Sequence, residues 1–181
     1  MDNILHLIEH GHLDFGENKV QEAVDKWQDV KEKKSDIQLH MIGKLQTNKV
    51  KFAVKIFDYI HSVDTEKLAK KISDEQLKIS KKIKIFIQVN IGNESQKSGV
   101  EIKNLSNLVK YCKDLGLNIV GLMCIPPADV DSSEYFKKMV ELNKIYNFEE
   151  LSMGMSSDFL EASQNKATFI RIGSNIFGQR T

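Results

Sequence analysis

The residues best suited to chemistry lie near the C-terminus, in ATFIRIGSNIFGQR, Ala167 to Arg180, where an arginine interrupts an apolar, β-branched run. The chain holds 26 Lys+Arg, and only Arg171 and Arg180 are arginine. A guanidinium keeps its proton, so one placed in a buried strand needs acceptors or an anion. Arg171 lies two residues before Gly173 and therefore on the same face of an extended strand. Gly173 with Ser174, and Gly154 with Ser156 in SMGMSSD, offer N–H groups and hydroxyls able to converge on an anion such as a phosphate. Two plainer readings stay open: tight turns capped by serine, and an ion pair of Arg171 with a carboxylate inside the fold.

Other reactive side chains carry weaker signals. His6 and His10 share one helix face and His12 follows, but there is no HExxH glutamate and no third ligand with evident geometry, so a surface helix is expected and no metal. Cys112 and Cys124 are not spaced as CxxC; one falls on a helical apolar stripe and the other in a strand, which makes both small core residues. Glu17 and Asp64 end separate strands without the marks of an acid/base pair. His61 is expected to pack or hydrogen-bond at a strand end. Lys44, Lys49 and Lys97 sit in solvated loops, which do not lower a lysine pKa enough to make a nucleophile.

These residues must be positioned by a regular scaffold. Strand-like runs fall at residues 12–16, 39–43, 58–63, 83–91, 118–125, 150–154 and 168–173. Amphipathic segments separate them. Val20, Ala23, Val24 and Trp27 mark one helix face; Ile102 to Leu115 forms another, closed by Gly116; Phe136, Met139 and Asn143 mark a third. Asp64 or Thr65 opens a helix carrying Leu68 and Ile72, and Ser156 or Ser157 opens a later one. Steady βα alternation means a parallel sheet with helical crossovers, either a doubly wound sheet or a β/α barrel. No G-x-G-x-x-G follows an early strand, which weakens the dinucleotide-binding version. Seven strands are found where a standard barrel has eight, and the chain opens on a helix-like piece, Asn3 to His10. The expectation is a TIM-type (β/α) barrel, residues 1–181 as one domain, beginning one strand late.

Bulk properties narrow the function. The chain has 181 residues, 41% of them apolar and 28% charged, with a net charge of +1. That balance lacks the clustered positive charge of a nucleic-acid binder. No run approaches the ~20 apolar residues of a membrane span, and the N-terminus lacks a signal-peptide pattern, so a cytoplasmic location is expected.

Seven segments in order resemble the pyridoxal phosphate homeostasis protein family, single-domain barrels related to the barrel of bacterial alanine racemases. They are FGEN with VQEA (15–23), H-M-I-G-x-L-Q-x-N-K (40–49), HSVD (61–64), QVNI with ESQKSG (88–99), GLMCIPP (121–127), LSMGMSSD (151–158) and IRIGSNIFGQR (170–180). The resemblance implies a carrier or buffer of pyridoxal 5′-phosphate, without turnover and with apo-enzymes of that cofactor as possible recipients, in a protein more often monomeric than oligomeric. It implies that Ser156, Gly173 and Ser174 hold the phosphate, that Arg171 faces the pyridine nitrogen, and that Asn18, His40, Ile42, Gly43 and Met153 line the ring site. The family's first strand, bearing the lysine that takes the cofactor aldehyde covalently, has no counterpart in this sequence, so a covalent link is not expected here. The competing readings are a non-binding remnant and an amino-acid racemase. The racemase is disfavoured because racemisation needs acid/base groups on both faces of the substrate, and alanine racemases draw one of them from an added β-domain.

Overall fold

The computed structural model describes residues 2–128 and 130–178; Arg180 lies outside them. Helix α1 (Asp2–Glu9) leads into β1 (Asp14–Glu17), and strands and helices then alternate. They are α2 (Val20–Lys33), β2 (Gln38–Met41), α3 (Val50–Ile56), β3 (Tyr59–Val63), α4 (Glu66–Lys78), β4 (Lys84–Val89), α5 (Ile102–Asp114), β5 (Asn118–Cys124), α6 (Ser133–Ile145), β6 (Glu150–Met155), α7 (Phe159–Gln164), β7 (Phe169–Arg171) and α8 (Ser174–Phe177).

All seven strands run parallel in one sheet, in the order β1 to β7 without reversal. A doubly wound sheet reverses its strand order at a switch point, so the unbroken order decides for the barrel. Curvature is visible in side-chain contacts. The rings of His40 on β2 and Phe169 on β7 lie 5.3 Å apart. Across a flat sheet, strands that far apart in the order would stand roughly 24 Å from each other at ~4.8 Å per step. The sheet must therefore curl until its two ends approach. Among the described residues β1 pairs only with β2, and β7 only with β6.

Sequence composition accounts for the elements. In β4, KIFIQV, every residue after Lys84 is buried, the continuous apolar pattern of a strand covered on both faces. On α2, Val20, Ala23 and Trp27 form the buried stripe, and Trp27 Nε1 donates to Glu17 Oε1 at 2.7 Å. Thr65 caps α4 by accepting from the Leu68 amide at 3.3 Å, one of the two caps expected there. Gly116, at φ +68°, closes α5. Two details differ from expectation. The cap of α7 is Asp158, not Ser156 or Ser157, and its Oδ1 accepts from the Met155 amide at 2.6 Å. The carboxylate makes no bond to the helix's own amides and closes the turn ahead of α7 instead. Helix α3 carries a weak helical signature, because VKFAVKI holds three β-branched residues and ends two residues short of the next strand.

Cys112 and Cys124 are buried, and burial pushes both thiols up to about 12, so neither is a nucleophile at neutral pH. His10 Nδ1 lies 2.8 Å from the His6 carbonyl, consistent with a helix end. Among the described residues no group of His, Cys, Asp and Glu could hold a metal ion, and no helix is long and apolar enough to cross a membrane.

Candidate functional site

In a parallel barrel the strand ends and the loops after them converge on one face, and the candidate residues fall there in two groups. The first is built by β6 and β7. Ser152 pairs with Phe169 and Met155 with Arg171, with a shift of register between them. Gly154 makes the shift possible. It has φ +90°, and a Cβ there would meet the Ala162 Cβ at 2.5 Å, so only glycine lets α7 approach this closely. The chain then turns so that Ser156 Oγ accepts from the Gly173 amide at 3.3 Å, while Asn175 Nδ2 donates to the Ser156 carbonyl at 3.4 Å. Ser174 follows at the start of α8. Gly173 and Ser174 are exposed and Ser156 is half-buried.

Arg171 is held more tightly. Its Nη1 donates to the Ser152 carbonyl at 3.1 Å and to Ser152 Oγ at 2.8 Å, and its Nη2 donates to the Cys124 carbonyl at 2.8 Å. None of these partners is a carboxylate, so the interior ion pair that remained open is not formed among the described residues. Burial opposes the charge and lowers the pKa from the ordinary guanidinium value, but a guanidinium satisfied by two carbonyls and a hydroxyl stays protonated at neutral pH. Nε has no acceptor among the described residues.

The second group lies beyond β1 and β2. A Cβ on Gly43 would come within 2.3 Å of the Asn18 carbonyl oxygen, so the two loops touch backbone to backbone. The Ile42 amide donates to the Glu17 carbonyl at 2.9 Å, and Ser62 Oγ donates to the Gly43 carbonyl at 2.7 Å. Asn18, Ile42 and Gly43 are thereby brought together.

His40 and Met153 are placed differently. Met153 is fully buried in the hydrophobic core. His40 pairs with Tyr59, the first residue of β3, and stacks on its ring at 4.3 Å, towards the other end of the strands. Both of its nitrogens are engaged, Nε2 with Asp14 Oδ1 at 3.0 Å and Nδ1 with His61 Nε2 at 3.0 Å. His61 Nδ1 lies 2.8 Å from Ser152 Oγ, which links these groups to Arg171. Burial lowers the pKa of His40 in spite of Asp14, and burial lowers that of His61 further, aided by His40 and Arg171, so both rings are neutral at pH 7. The reading of His61 as a packing or hydrogen-bonding residue matches this, but Ser152 was missed. The available signal was four polar side chains, His40, His61, Ser152 and Arg171, each inside an apolar strand.

Of the strand-end lysines, Lys97 is engaged by its neighbours. Lys97 forms an ion pair with Glu94 at 2.6 Å and donates to the Pro126 carbonyl at 3.1 Å. Two surface grooves, of about 340 Å³ beside Lys67, Lys70 and Lys71 and about 530 Å³ between α2 and α3, are lined by none of the candidate residues.

Comparisons with known proteins agree in direction. The family model described as alanine racemase, N-terminal domain, matches residues 1–181. The pyridoxal phosphate homeostasis protein of Aquifex aeolicus is 41% identical over 176 residues, spanning 92% of this chain and 76% of that protein. The Vibrio cholerae protein of the same name is 36% identical over 194 residues, spanning 99% and 81%. Among solved structures, PipY of Synechococcus elongatus with pyridoxal phosphate bound superposes with a TM-score of 0.89 at 32% identity, over 98% of this chain and 87% of that one. An alanine racemase from Clostridium difficile superposes at 0.76 with 12% identity and covers 48% of its own chain, a likeness of fold alone.

Proposed function

The chain belongs to the alanine racemase N-terminal domain family and, within it, to the pyridoxal phosphate homeostasis proteins, and from that premise we propose that it binds pyridoxal 5′-phosphate at the barrel mouth and takes part in cofactor homeostasis without turning over a substrate. The observation that carries this reading is the meeting of β6 and β7, where the Ser156 hydroxyl touches the Gly173 amide two residues beyond a satisfied guanidinium.

The donor set suits a phosphate monoester. The Ser156 and Ser174 hydroxyls and the Gly173 and Ser174 amides are neutral donors that can turn to a dianion, and the long Ser156–Gly173 contact is readily given up for a better acceptor. Around Gly173 there is open space: a Cβ built there meets nothing within 4 Å. When bound, pyridoxal 5′-phosphate supplies an aldehyde conjugated to an electron-accepting pyridine ring. Arg171 is the residue that would face the ring nitrogen. Its permanent charge disfavours a proton there, which weakens the electron sink and suits storage over catalysis. Asn18, Ile42 and Gly43 would line the other side of the ring, with His40 and Met153 in the packed wall behind. Delivery to apo-enzymes in the cytoplasm completes the reading.

The test is a titration of the full chain with pyridoxal 5′-phosphate and, separately, with pyridoxal, followed by absorption. The S156A/S174A double variant should lose ~10- to 100-fold in retention of the phosphorylated form, from two charge-assisted hydrogen bonds at ~1 kcal/mol or more each. Retention of pyridoxal should hold. Equal losses for both would remove the phosphate role from these serines.

A further inference from the structure

Five polar side chains from five strands run in one row through the barrel: Asp14 (β1), His40 (β2), His61 (β3), Ser152 (β6) and Arg171 (β7). The links measure 3.0, 3.0, 2.8 and 2.8 Å in that order. Hydrogen-bonding capacity fixes the direction of every link. Arg171 can only donate, so Ser152 Oγ accepts from it; the Asp14 carboxylate at the far end can only accept, and with both rings neutral the serine's own proton then goes to His61 Nδ1. A neutral His61 that accepts at Nδ1 carries its proton on Nε2 and donates to His40 Nδ1. By the same step His40 carries its proton on Nε2 and donates to Asp14, whose carboxylate only accepts. The opposite sense would set a bare His40 nitrogen against carboxylate lone pairs and leave the buried Ser152 proton without a place in the row. Burial keeps both rings neutral, as this arrangement requires.

Every link depends on the next, and the row ends on the one side chain that the proposed cofactor site needs held still. We propose that Ser152 and His61, anchored through His40 on Asp14, are positioning residues for Arg171: a one-way hydrogen-bond chain that fixes the guanidinium plane and turns its Nε edge towards the ligand. Ser152 is 0% and His61 1% exposed, so water cannot stand in for either. The role of Arg171 towards a ligand rests on the function proposed above; the direction of the chain does not.

The decisive measurement uses the ligand-free full chain labelled with ¹⁵N. Two-bond ¹H–¹⁵N correlation of the imidazoles at neutral pH should show His40 and His61 both as the Nε2–H tautomer. An Nδ1–H tautomer in either overturns the chain as drawn. With only two arginines in the sequence, the guanidinium signals of Arg171 can be followed directly. They should be resolved into separate Nη1 and Nη2 resonances in the unaltered chain and in H61Q, whose amide accepts from Ser152 and donates to His40. They should average in S152A and H61L. Resolved signals in S152A and H61L would overturn the positioning role. If these variants do not fold, H61Q and the tautomers of the unaltered chain still decide. Failure of pyridoxal 5′-phosphate to bind would count against the proposed function alone, since both readouts are taken without it.

Discussion

The floor and the rim of the candidate site are built to different standards. On the floor, Ser152 and His61 are buried, and with the Arg171 Nη atoms they sit in hydrogen bonds of 2.8 to 3.1 Å. On the rim, Ser156, Gly173 and Ser174 are partly or fully exposed, and the contacts that tie Ser156 to the loop after β7 stretch to 3.3 and 3.4 Å, although the Gly173 and Ser174 carbonyls accept at 2.8 to 3.0 Å within that loop and α8. Buried donors left unpaired are costly, so the floor is fixed as part of folding; rim donors are solvated and can wait for a ligand. The contrast teaches where each change should be felt: floor substitutions should read out in stability, rim substitutions in binding.

The strongest test of the floor is G121A. Gly121 on β5 pairs with Glu150 on β6, and an added Cβ would stand 1.9 Å from the Glu150 carbonyl oxygen and 3.0 Å from Phe86 Cε1. Backbone of a neighbouring strand cannot step aside as a side chain can. A loss above ~3 kcal/mol, or no folded protein at all, is expected from the denaturant midpoint. A loss below ~1 kcal/mol would show that β5 and β6 separate easily, and the rigid floor would go with them. F86A should follow at about 3–5 kcal/mol, since this fully buried ring stacks on His61 at 4.3 Å and meets Phe169 edge-on at 5.6 Å. A cost near that of a surface residue would sever the packing from the hydrogen-bond chain.

Acid should begin to destabilise the floor before it acts on Asp58. His40 and His61 have folded-state pKa values below the ordinary 6.5 because burial opposes their charge. Between 6.5 and those lower values the unfolded chain therefore binds more protons than the folded one, and stability falls as pH drops. Asp58 works in a separate window. Burial raises its pKa, but the Leu39 amide, Lys31 and Lys81 outweigh that and leave it below 3.8, so its contribution is lost only in stronger acid. Urea midpoints should accordingly decline between pH 7 and 5, with a shallower decline in H61Q. Equal midpoints at pH 7 and 5 would mean that the two rings are not held neutral.

How much of this was legible in the sequence follows from the range of each interaction. The seven strands were readable because their β-branched runs are local, and the barrel because the alternation is. Arg171, Gly173 and Ser156 could be paired in advance, since strand ends in a parallel sheet share one face. The row from Asp14 to Arg171 could not. Its longest-range link joins His61 to Ser152 across 91 residues of sequence, and exists only because the sheet curls. The cap of α7 was misassigned for a smaller reason: MSSD offers three adjacent polar residues, and Ser156 Oγ is taken by the Gly173 amide 17 residues further on, a contact that local order does not reveal.

The finest probe of the contrast is a single methyl group on the rim. Gly173 has φ −123°, outside the left-handed region that favours glycine, and an added Cβ meets nothing within 4 Å. G173A should therefore leave the denaturant midpoint within ~0.5 kcal/mol of the unaltered chain. The same methyl would occupy space proposed for the phosphate, so retention of pyridoxal 5′-phosphate should fall by ~10-fold or more while that of pyridoxal stays level. A clear loss of stability would mean that the rim is packed like the floor. An unchanged preference for the phosphorylated form would move the phosphate away from β7, and Arg171 would then point at something other than the ring nitrogen.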